Sequence, residues 1–88
     1  MKKQDRRNEL FELITADNAK EVKYALERNR LTQKWLMHRL DRDFGIVVGK
    51  QQLSDILDGR KPIGSKTQRL IWCCERVIEE YEKYYGGR

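Results

Sequence analysis

Four side chains near the middle of the chain, Lys50, Gln51, Ser54 and Asp55, combine hydrogen-bonding chemistry with helical spacing. Leu53, Ile56 and Leu57 recur at one-face spacing, so a helix from Lys50 to about Asp58 turns them inward. The same geometry sends Gln51, Ser54, Asp55 and Asp58 outward and leaves Lys50 in the first turn. A glutamine can pair bidentately with adenine, a lysine can reach guanine, and an aspartate can accept from cytosine. The pattern points to base reading by Lys50, Gln51, Ser54 and Asp55, with Gln52 beside them as a phosphate contact. The alternative for this stretch is a solvated helix start.

Other chemistry finds little support. The sequence has no Ser/His/Asp or Cys/His set, no glycine-rich phosphate loop and no spaced metal ligands. Asp41 and Asp43 resemble paired carboxylates but have no neighbouring ligand. Cys73 and Cys74 are adjacent and point about 100° apart on a helix, a poor geometry for a shared metal or a relaxed disulfide. They read as small apolar residues in a reducing compartment. His38 has no second histidine. We expect no catalytic residue, metal, cofactor or small-molecule substrate. No apolar run approaches the ~18–20 residues of a membrane span, and no secretory signal is read, so a cytoplasmic protein without membrane contact is expected.

Charge placement favours a polyanionic partner. The chain carries a net charge of +5. Basic residues predominate over 1–8, 28–42 and 49–69, and acidic ones over 75–85. Gln33 and Lys34 stand at a helix start, where backbone N–H groups and the dipole favour a phosphate. Arg60, Lys61 and Lys66 follow the 50–58 helix and are read as backbone contacts, as are Thr32 and Arg42.

These residues require an all-α frame of four or five helices, and 88 residues suit one domain. Leu10, Phe11, Leu13 and Ile14 suggest a short helix within an N-terminal segment, 1–14. Thr15 caps a helix to about Arg28, with Ala19, Val22, Ala25 and Leu26 inward. Leu31 plugs inward from the turn, and Thr32 caps a helix from Gln33 to about Leu40. Residues 41–48 read as an extended connection, with a possible short strand, anchored by Phe44 and Val48 and exposing Asp41, Arg42 and Asp43. Gly59 is expected to be left-handed, and Arg60-Lys61-Pro62 stops the helix before it. Ser65 caps a last helix to Tyr85. Leu70, Cys74, Val77, Tyr81 and Tyr84 form its apolar stripe, widened by Ile71, Ile78 and Tyr85. A small core needs only the first part of this helix. Val77, Ile78, Tyr81, Tyr84 and Tyr85 are therefore expected to form a homodimer interface, unless 10–14 covers them.

Thr32-Gln33-Lys34-Trp35-Leu36, followed by Leu53-Ser54-Asp55-Ile56-Leu57-Asp58-Gly59-Arg60-Lys61-Pro62, resembles the phage repressor and Cro-like (Xre-type) helix-turn-helix regulators. The resemblance covers about residues 17–78 and implies a lambda-repressor-like domain with a helix-turn-helix unit over 31–62. It also implies sequence-specific binding of double-stranded DNA, as by a repressor. The connection after Leu40 departs from the family's tight turn by about six added residues, placed among Asp41–Val47. A rival reading is a protein-interaction module, antirepressor- or antitoxin-like, that reuses the same fold through its acidic, tyrosine-rich end.

Overall fold

The computed structural model describes residues 14–86. The expected helix over about 4–14, with Leu10, Phe11 and Leu13, lies outside them, but Ile14 is buried in the core. Four α-helices follow: α1 (Ala16–Arg28), α2 (Gln33–Phe44), α3 (Lys50–Leu57) and α4 (Ser65–Tyr81), the last running into a π-helical turn at Glu82–Gly86. The described residues contain no strand.

Each helix begins and ends for a local reason. At α1, the Thr15 hydroxyl accepts from the Asp17 N–H at 3.2 Å, and the Asn18 side chain accepts from the Thr15 N–H at 2.9 Å. This reciprocal cap satisfies donors that the first turn leaves open. Arg30, with φ of 59°, closes the far end, where the Leu31 N–H reaches the Leu26 carbonyl at 2.8 Å. Leu31 is half-buried against the core, as expected. The Thr32 hydroxyl caps α2 by accepting from the Trp35 N–H at 3.0 Å.

Helix α2 does not stop near Leu40. It continues one turn further to Phe44, so the extended reading of Asp41–Val48 is corrected over its first half. Arg39 and Asp43 form an i,i+4 ion pair at 2.9 Å that spans the added turn. Gly45 then ends the helix at φ 68°, and the Ile46 N–H closes onto the Leu40 carbonyl at 3.1 Å. What remains is a five-residue connection, 45–49, without a strand. Val48 is its anchor, at 6% exposure. Phe44 is not: it is 41% exposed and leans edge-on against Trp72 at 6.5 Å between ring centroids.

Helix α3 buries Leu53, Ile56 and Leu57. Gly59 adopts the expected left-handed conformation at φ 78°, and the Arg60 N–H bonds to the Asp55 carbonyl at 2.8 Å. Helix α4 starts from Gly64, which offers no side-chain cap; Ser65 is its first residue and not the expected N-cap. Helices α1 and α2 pack against both α3 and α4. One core joins them, with Val22, Leu36, Leu40, Leu53, Leu57, Ile71, Cys74 and Val77 fully buried. This overturns part of the expected dimer interface. Val77 and Ile78 are 1% and 4% exposed and belong to the interior of a single chain. The core needs more of α4 than its first three turns.

Candidate nucleic-acid interface

Burial of three apolar residues fixes which way α3 faces. Lys50, Gln51 and Gln52 are exposed, while Ser54, Asp55 and Asp58 are half-buried at the edge. A connected row of polar contacts runs along that edge. The Gln51 amide donates to Asp55 Oδ1 at 2.9 Å. The Arg60 guanidinium lies 3.5 Å from the same oxygen and 3.8 Å from Asp58 Oδ2. Lys23 Nζ, from α1, reaches Asp58 Oδ1 at 2.8 Å. Asp58 is therefore not the free outward side chain expected from helical geometry alone; it ties the end of α3 to α1. Asp55, expected as a base reader, has one oxygen committed to Gln51 and Arg60. Nothing in the spacing of Lys23 could have announced its partner, because the pair spans 35 residues.

This tie has a pH signature. Its hydrogen bond with Lys23 holds the Asp58 carboxyl below its ordinary value, and the same bond raises Lys23. The Asp58 contribution is present above the unfolded carboxyl value and is lost as pH falls through the lower folded value. The Lys23 contribution is lost only as pH rises through its raised value. The melting temperature of Lys23→Ala should fall slightly below that of the wild type across roughly pH 5–9, and the gap should close below about pH 3. A gap that persists in acid would assign the loss to the packing of the lysine stem.

The helix starts differ in a way that bears on anions. Helix α1 has its side-chain cap and Asp17 in the first turn. Helices α3 and α4 begin at Gly49 and Gly64 with no side-chain cap, and neither carries an acidic residue in the first turn. Lys50 and Lys66 stand there instead, both exposed. Helix α2 also lacks an acidic first turn; Gln33 is half-buried and Lys34 exposed. A cation at the positive end of a helix dipole opposes it by about 0.3–1 kcal/mol, and an approaching anion relieves that opposition.

Ion pairing is equally uneven. Arg28, Arg39, Arg42 and Arg76 are paired with carboxylates, mostly toward α4 and its terminal turn. Lys34, Lys50, Lys61 and Lys66 make no ion pair among the described residues. Lys20, Arg30, Arg69 and Lys83 are also unpaired there, so pairing alone marks no surface; among the unpaired cations, Lys50 and Lys66 are the two that stand in the uncapped first turns of α3 and α4. Arg42 differs from the other expected phosphate contacts. Its Nε lies 3.2 Å from Asp43 Oδ1, at the far end of α2 from Thr32, Gln33 and Lys34. Thr32 itself serves α2 as a cap.

Trp35 is a packing residue. Tyr81 meets it edge-on at 5.4 Å, and the Arg39 guanidinium lies over its ring at 5.4 Å. Arg39, to which sequence reasoning gives no role, also reaches Glu80 of α4 at 3.1 Å. Its i,i+4 spacing to Asp43 is the available signal. Tyr81 is half-buried and stacks on Tyr85 at 4.9 Å, while Tyr84 and Tyr85 are 71% and 75% exposed. Cys73 and Cys74 are buried and free, and burial pushes both thiols up from their ordinary value. No group of His, Cys, Asp and Glu side chains suited to a metal ion occurs among the described residues. None of the helices there is long and apolar enough to cross a membrane. No protein-family model, curated protein or solved structure matches the chain.

Proposed function

We propose that the chain binds duplex DNA as a small sequence-specific regulator of the phage-repressor type, with α3 in the major groove. The observation that carries this reading is the pair of basic, uncapped helix starts at α3 and α4. Their open N–H groups and lysines can donate to phosphate oxygens at little cost, and the first turn of α3 then lies at the groove. Lys50, Gln51 and Ser54 read base edges, and Asp55 steadies Gln51. Gln33, Lys34, Gln52, Arg60, Lys61 and Lys66 hold phosphates. Arg42, committed to Asp43 at the other end of α2, falls outside this set.

Two copies bound to one side of the duplex would place their α3 helices about 34 Å apart in successive major grooves. With Val77 and Ile78 in the core, Tyr81, Tyr84 and Tyr85 remain as the contact between copies. The exposure of Tyr84 and Tyr85 also supports the rival reading, a protein-binding module. Base reading separates the two. Gln51→Ala should weaken binding to the preferred duplex about 5- to 100-fold and leave random duplex nearly unaffected. Equal losses on both would remove Gln51 from base reading, and a protein module would show no duplex preference at all.

A further inference from the structure

The connection between α2 and α3 carries an apolar side chain that the fold does not use. Val47 is 84% exposed, the most exposed large hydrophobic residue described. Its neighbours are not: Ile46 is half-buried against the core and Val48 is 6% exposed. The Ile46 N–H is bonded to the Leu40 carbonyl at 3.1 Å. Val47 is thus pinned on both sides, three residues before Lys50, and its β-branched side chain has little freedom to fold away. The connection, Gly45-Ile46-Val47-Val48-Gly49, contains no charge that would repel a phosphate or demand water.

Gly49 strengthens the case. Its φ of −73° suits any residue, and a Cβ added to it would meet nothing within 4 Å. The fold therefore does not require glycine at a position where serine, threonine or aspartate would cap α3. A bare backbone two residues from a projecting valine leaves room for a ligand to come close, next to the exposed Lys50, which makes no ion pair among the described residues. The charge there selects a polyanion, and the valine selects an apolar group carried on it.

On the reading that α3 enters the major groove, we infer that Val47 packs against the 5-methyl group of a thymine at the edge of the site and so sets a base preference. The thymine methyl is the apolar feature of the major-groove code. Beyond Gln51 and Lys50, which read hydrogen bonds, the site thereby gains a reader of shape.

The test replaces each thymine of the preferred duplex, one at a time, by deoxyuridine, which keeps every hydrogen bond and removes only the methyl group. Affinities of the full chain are measured by fluorescence anisotropy. One position should lose about three- to fivefold, the worth of a methyl-sized group taken out of water. Val47→Ala, whose folding is checked by its melting curve, should bind the thymine and uracil forms of that position alike. The inference is overturned if uracil is neutral everywhere in the wild type, or if its penalty survives undiminished in Val47→Ala. Absence of any duplex preference would instead overturn the proposed function, and this inference with it. The uracil scan of the wild type needs no variant to fold.

Discussion

Replacing Lys34, Lys50, Lys61 and Lys66 together by alanine should abolish measurable duplex binding at physiological salt while leaving the fold intact. All four side chains are exposed and unpaired among the described residues, so their removal takes nothing from the core. Lys50 and Lys66 oppose the dipoles of their own helices, and their loss should leave the melting temperature unchanged or slightly raised. Each phosphate that is no longer neutralised should flatten the plot of log affinity against log salt by about 0.9. Titrations at several salt concentrations read this slope directly. A quadruple variant that binds duplex with the wild-type slope would move the interface elsewhere. A lowered melting temperature would show that these lysines hold the fold instead.

Leu57→Ala should have the largest effect on stability. Leu57 is fully buried in the shared core, on the helix that carries the proposed readers. Removing a buried leucine side chain costs about 2–5 kcal/mol, including the cavity left behind. Small domains are stable by only about 5–15 kcal/mol in total, so the loss is a large share. At about 4–8 °C per kcal/mol for a chain of this size, the melting temperature should fall by at least about 8 °C. Calorimetry or circular dichroism checks this. A fall of only a degree or two would mean that α3 is docked far more loosely than its burial implies. Duplex affinity measured well below the new melting temperature should stay near the wild-type value, because Leu57 faces the core and not the side of the proposed readers.

Local signals in the sequence locate most of the architecture. Thr15 and Thr32 announce their helix starts, Gly59 its left-handed turn, and the spacing of Leu53, Ile56 and Leu57 the inward face of α3. The differences arise where a local cue competes with a longer-range one. The β-branched run at Ile46–Val48 argues for extended chain, but Gly45 is the true stop of α2, and the Arg39–Asp43 pair carries the helix to it. Ser65 has the right chemistry for a cap one residue too late, because Gly64 occupies that position. Val77 and Ile78 suit an interface only if a small core needs little of α4, but α1 and α2 reach its far end, where Arg28 pairs with Glu82 and Arg39 with Glu80. In the candidate site, residue types are legible but their ties are not. Lys23 with Asp58 depends on how two helices meet, and Arg60 with Asp55 on how the chain turns back at Gly59, neither of which residue types alone encode.

Whether α3 reads duplex DNA is decided by selection from a random duplex pool. The full chain is incubated with the pool at about 50 and 200 mM salt, and the bound fragments are sequenced over successive rounds. The pool should converge on a near-palindrome whose half-sites are separated by about one helical turn, with retention falling steeply between the two salt concentrations. A pool that shows no enrichment, with duplex not retained even at the lower salt, would contradict duplex reading by α3.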